Sequence, residues 1–199
     1  MGRLTSCIDK TIFPVILAVP ERVQQLPPRE KVRELSRQAR RALHMCARKS
    51  DINVGELRKD ANGAPLPFDG NFWSLTHKPA YVGAVICTEV TGIDVEAVRD
   101  VSEGLIRKVA REKEWRLSDD GPTAVFFRYW TAKEAVLKAA GVGISRLSRC
   151  QVVAIQGKRH LGLTYEGVTF LVEHFFFDGH VASVVKNRFQ VEWSLLNRD

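Results

Sequence analysis

Gly92-Ile93-Asp94-Val95-Glu96 and Trp130-Thr131-Ala132-Lys133-Glu134-Ala135-Val136-Leu137-Lys138 decide how this chain is read. The first stretch predicts a short strand entered through a glycine. A strand has a side-chain period of two, which sets Asp94 and Glu96 on one face. The second predicts a helix on which Trp130, Glu134 and Lys138, four apart, share a stripe. Three carboxylates and an ammonium then stand among apolar neighbours. Clustered carboxylates raise one another's pKa unless a cation joins them. A Mg2+ ion held by a few carboxylates, waters and substrate phosphates resolves that conflict. Asp94, Glu96 and Glu134 are therefore candidate metal ligands in a metal-assisted phosphate site.

The 199 residues suffice for one domain or two small ones, and 45% hydrophobic with 27% charged residues is ordinary for a soluble globular chain. The apolar stretch from Thr11 to Val19 is too short to span a bilayer and lacks a cleavage pattern. Cys7, Cys46, Cys87 and Cys150 are scattered without a CxxC pair, which speaks against zinc and disulfides and for the cytoplasm. The net charge is +7, and eight basic residues against two acidic ones give Arg29 to Lys49 a net +6. Its plain reading is a solvated helical face. Its functional readings are a phosphate ligand, an acidic protein partner or nucleic acid.

Working outward, Thr11 to Val19 reads as a strand and Arg29 to Ala47 as a helix behind Pro27-Pro28. Phe72 to Thr76, Tyr81 to Thr88 and Thr91 to Val95 read as strands. Ser102 can cap a helix running to about Trp115, with Leu105, Ile106, Val109 and Ala110 on its apolar side. Gly121-Pro122 opens the next helix, which stops at Gly141 and Gly143. Gln151 to Ile155, Leu161 to Tyr165, Val168 to Phe177, His180 to Val185 and Phe189 to Ser194 complete a β-rich remainder. Helix followed by sheet occurs twice, so the class is α+β, with two similar lobes over 1–90 and 91–199, each a helix on a small, mostly antiparallel sheet.

Each motif also has a plain structural reading. Asp94 and Glu96 could be solvent-facing strand residues, and Glu134 with Lys138 a surface i, i+4 ion pair. His77 could be a turn histidine, and Glu114, within Arg111-Glu112-Lys113-Glu114, part of an exposed charged face. Their joint occurrence in this order favours the functional reading.

With Gly63-Ala64-Pro65 and Ser74-Leu75-Thr76-His77 upstream, the two motifs resemble the signature of the 4'-phosphopantetheinyl transferase superfamily. The nearer likeness is its longer, monomeric branch, which activates surfactin- and enterobactin-type synthetases. The resemblance covers roughly residues 35 to 150 and implies a pseudo-dimer of two α+β lobes with the active site between them. It implies Mg2+ on Asp94, Glu96 and Glu134, and coenzyme A phosphates on Lys138. It also implies a nucleotide-end contact at Thr76 and His77, and a metal-associated water at Glu114. The candidates for the family's basic coenzyme A contacts are Arg33, Arg37 and Arg40, of which Arg40 is the one expected to bind. Ala64 stands where the family often has lysine, and Lys78, just after His77, is the cation read as compensating for it. The helix from Ser102 corresponds to a surface receiving an acidic carrier protein.

The implied reaction moves the phosphopantetheine arm of coenzyme A onto a serine of an apo-carrier protein and releases adenosine 3',5'-bisphosphate. Glu134 is the first candidate base, Glu114 the second, and Lys138 neutralises phosphate charge. The alternatives are a metal-dependent nuclease and a non-catalytic nucleotide- or carrier-binding module. Aromatic-basic interleaving that would suggest nucleic-acid readout is missing from the sequence.

Overall fold

Proline has no backbone N–H to give to a ladder, and Pro14 divides the first apolar run into β1 (Thr11–Ile12) and β2 (Val15–Ala18), where the sequence predicts one strand. The computed structural model describes residues 10–197. A turn of helix, α1 (Glu21–Gln24), leads into α2 (Pro28–Lys49). Its first turn needs no N–H from Pro28. Leu35, Ala39, Ala42, Leu43 and Cys46, at helical spacing, bury one side of α2. Arg29, Arg33, Arg37, Arg40, Arg41 and Arg48 are exposed on it. The buried side packs on β2, β3 (Phe72–His77) and β4 (Tyr81–Cys87).

Next come β5 (Ile93–Ala97), α3 (Glu103–Val109), α4 (Glu112–Trp115) and α5 (Pro122–Ala139). After a 3-10 turn, Ile144–Arg149, follow β6 (Gln151–Gln156), β7 (His160–Tyr165), β8 (Val168–Phe177) and β9 (His180–Val185). β10 (Gln190–Val191) and β11 (Ser194–Leu196) close the described chain, dividing the run expected as Phe189 to Ser194. The architecture is α+β. One sheet has the order β11-β2-β4-β3, the other β5-β9-β8-β7-β6, and β1 pairs separately with β10. All ladders of the second sheet are antiparallel, whereas β11 joins β2 in parallel. α5 lies across β5, β9 and β8. Ile93, Val95, Ala182 and Val184 on the second sheet meet Ile16, Val85 and Cys87 on the first and Ile12 of β1, so β5 lies where the sheets join.

The helix expected from Ser102 to Trp115 is two pieces. Ser102 does cap α3, accepting from the Leu105 N–H, but Ala110 is extended (φ −146°, ψ 157°) and the chain restarts as α4. The break is held by side chains: Lys133 donates to the Val109 carbonyl, and Glu114 accepts from the Arg111 N–H. Val109 is 1% exposed, and Leu105 and Ile106 pack partly against the α5 core, so the apolar side of α3 faces largely inward.

Gly92 sets how close α5 comes to β5. A Cβ there would lie 2.0 Å from the Ala135 carbonyl oxygen and 2.8 Å from the Ala139 nitrogen. Only glycine allows this approach. Cys46, Cys87 and Cys150 are buried free thiols, and burial pushes Cys46 and Cys150 up to about 12. Cys7 lies outside the described residues. Among the described residues no helix is long and apolar enough to cross a membrane.

Candidate active site

Asp94 is wholly buried on β5. Its Oδ1 accepts from Lys138 Nζ at 2.7 Å and from the Thr76 hydroxyl at 2.9 Å. Its Oδ2 is buried with no partner. Lys138 also donates to the Ile93 carbonyl at 3.0 Å, which pins the end of α5 to the start of β5. Two residues along the same strand face, Glu96 Oε1 accepts from Lys78 Nζ at 2.6 Å and from the Trp130 indole N–H at 3.1 Å. The expected side-sharing of Asp94 with Glu96 is met by bonds from Thr76 on β3 and from Trp130 and Lys138 on α5, while Glu134, between the last two, bonds neither carboxylate. The surface pair of Glu134 with Lys138 does not form; Lys138 reaches across to Asp94 instead.

Glu134 is half-buried on α5 without a hydrogen bond or ion pair. Burial first, then the charges of Asp94 and Glu96, hold its carboxyl above the usual value, against the pull of Lys138 and Lys78. The three carboxylates therefore share one electrostatic neighbourhood. Their donor type suits a hard divalent cation, and the orphaned Asp94 Oδ2 is an oxygen that such an ion would satisfy. Lys138 and Lys78 supply the positive charge here, and among the described residues no three acidic, His or Cys side chains are grouped to hold a metal ion.

His77, at the exposed end of β3, is held below its ordinary pKa by partial desolvation and then by Lys138, Lys59 and Lys78. Thr76 is buried, its hydroxyl committed to Asp94. Glu114 is not brought into the cluster. It is 1% exposed, with Oε1 accepting from Lys133 Nζ at 2.6 Å and from the Val152 N–H at 2.9 Å, and Oε2 from the Arg111 N–H. Arg40 is likewise apart, exposed on α2 and donating to Ser36 Oγ.

Lys59 is the residue that the sequence reading passed over. It lines a cavity of about 240 Å³ together with Gly63, Ala64, Pro65, Trp73, Lys138 and Gly141. Lys59 pairs across the turn with Pro65, and Asp60 Oδ1 tightens that turn by accepting from the Asn62 and Ala64 N–H groups. A lysine opposite the Gly63-Ala64-Pro65 turn was the available signal. The same pairing places a cation beside Ala64, while Lys78, the expected substitute, is spent on Glu96.

Over 115 residues the chain is 33% identical to the 4'-phosphopantetheinyl transferase HetI of Nostoc sp., covering 51% of this chain and 48% of that one. It is 30% identical over 93 residues to the 4'-phosphopantetheinyl transferase gsp of Aneurinibacillus migulanus, covering 44% and 39%. The chain spans about half the length, or less, of these curated relatives. Residues 91–188, which carry Asp94, Glu96, Glu134 and Lys138, match the family model of the 4'-phosphopantetheinyl transferase superfamily.

Proposed function

We propose that this protein transfers the 4'-phosphopantetheine arm of coenzyme A to a serine of an apo-carrier protein, with Mg2+ as cofactor and with lobes 1–90 and 91–199 acting as one unit. The observation that carries this is the Asp94–Lys138 pair at the β5–α5 contact, inside the family-matched stretch, with Lys138 lining a cavity together with Lys59. Asp94 through Oδ2, Glu96 and Glu134 would hold the metal, which would offset charge on the pyrophosphate.

Lys138 and Lys59 bind phosphate oxygens as ammonium donors, and His77 adds a neutral imidazole donor at the rim. The serine hydroxyl attacks the β-phosphorus. The new P–O bond forms as the bond to the nucleotide phosphate breaks, and adenosine 3',5'-bisphosphate departs. The serine proton goes to Glu134, directly or through a water, because its carboxylate accepts no hydrogen bond from the described residues and is free to take the proton. Glu114 is already saturated and acts through Lys133 on the shape of the α3–α4 break. The exposed Arg107 and Lys108 of α3 offer an acidic carrier its first contacts.

Mass spectrometry of apo-carrier proteins incubated with the protein, coenzyme A and Mg2+ tests the reading. The expected product is a carrier heavier by one phosphopantetheine arm, formed only with the metal. Absence of transfer to acyl and peptidyl carriers alike, by protein that binds coenzyme A, refutes it.

A further inference from the structure

Beneath α5, beside Asp94, lies a line of buried polar groups that the reaction does not use. Ser183 stands directly opposite Asp94 across the β5–β9 ladder, and His174 opposite Ser183 across β9–β8. His174 Nδ1 is 2.8 Å from Ser183 Oγ, and Ser183 Oγ is 2.6 Å from Thr131 Oγ1 on α5. Thr131 lies 2.7 Å from the Phe127 carbonyl one turn back. All three side chains are essentially without solvent exposure.

The hydrogens can be assigned along this line. Thr131 has one hydroxyl hydrogen, and the short contact to a pure acceptor, the Phe127 carbonyl, takes it. Ser183 must then donate to Thr131 and accept from His174 Nδ1–H. That tautomer leaves His174 Nε2 as a bare lone pair, matching the absence of any partner for it. The reverse direction would strand a buried N–H, which is rarer in proteins. A one-way chain thus runs from β8 through β9 into the backbone of α5. On α5, Glu134 and Lys138 follow Thr131 at i+3 and i+7, on the same stripe.

We infer that Ser183, with Thr131 and His174, is a positioning residue: it fixes the rotation and height of α5 over the β5–β9 ladder so that Lys138 and Glu134 meet Asp94. An apolar contact would tolerate sliding, whereas a hydroxyl bonded on two sides admits one placement. The catalytic consequence rests on the proposed transferase reading, but the placement itself does not.

Trp130 supplies a readout independent of activity, since its indole N–H bonds Glu96 across the same α5–β5 contact. In 15N-labelled protein, Ser183→Ala should move the Trp130 indole cross-peak while those of Trp73 and Trp193 stay, and Ser183→Thr should restore it. Leu163→Ala, a cavity variant in the same core, should leave the Trp130 peak in place. In transfer assays, Ser183→Ala should lower kcat by roughly tenfold or more with little change in the coenzyme A KM. If Ser183→Ala does not fold, the near-isosteric Thr131→Val carries the same test. A folded variant whose Trp130 peak coincides with that of the unaltered protein overturns the inference. A shifted peak with unaltered kcat overturns its catalytic part. Failure of the unaltered protein to transfer would refute the proposed function and leave the Trp130 comparison decisive for placement.

Discussion

Asp94 has one oxygen held twice and the other not at all, on a carboxylate that is itself wholly buried. Removing its cation is then costly. Lys138→Met should lower unfolding stability by about 3 kcal/mol, the lower end for breaking a buried pair, since the Lys138 side chain keeps 29% exposure. Asp94→Asn added to it should recover most of the loss, because the stranded charge disappears. Urea denaturation of the two variants checks this, and equal stability of both would show that Asp94 does not depend on Lys138. Lys59 differs in kind: it is exposed and touches no acid, so Lys59→Ala should leave the fold intact. Coenzyme A affinity in calorimetry should fall about tenfold, ~1.4 kcal/mol. Moving the lysine across the turn, with Lys59→Ala and Ala64→Lys together, should return it.

Between elements, the α5–β5 approach decides the site. Gly92→Ala must displace backbone, because the new methyl meets a carbonyl oxygen and an amide nitrogen of α5. Overpacking of this sort costs roughly 1–3 kcal/mol, and the displaced helix should carry Lys138 away from Asp94. The expected result is lowered stability in denaturant together with weakened coenzyme A binding; a variant as stable and as tight as the unaltered protein would mean the contact is soft. The Lys133–Glu114 pair plays the corresponding part for the α3–α4 break. Burial pulls the Lys133 ammonium below its ordinary value while Glu114 sustains it.

For the whole molecule, the described chain runs on after β9 into β10, which pairs with β1, and then into β11, which joins the first sheet beside β2. Deleting residues 190–199 should therefore weaken the first sheet, seen as faster amide exchange in β2 and β4 before β7 and β8. His174 gives the fold a pH dependence of definite sign. Burial depresses it to about 3 from 6.5, so the unfolded chain binds the extra proton in that interval. Stability is full above pH 6.5 and is lost as pH falls toward 3, by about 1.4 kcal/mol per unit for one proton. A His174→Asn variant should show a flatter melting-temperature profile between pH 6.5 and 4; an identical slope would assign the loss to other groups.

The strand at Gly92–Glu96, the helix from Gly121-Pro122 to Gly141, and the sharing of faces by Asp94 with Glu96 and by Trp130, Glu134 and Lys138 were all legible in the sequence. They depend on period, caps and breakers, which act within a few residues of one another. Periodicity says which side chains share a face but not what stands opposite that face. The sequence therefore offered Lys138 a phosphate or a surface pair with Glu134, and Glu114 a metal-associated water or an exposed face, and passed over Lys133, Ser183 and Lys59. In the folded chain Lys138 bonds Asp94, 44 residues away, and Glu114 meets Lys133, 19 residues away. Those pairings exist because α5 crosses β5 at the one glycine that lets backbone meet backbone. That crossing is set by the packing of sheet, helix and core together, which only the tertiary structure decides.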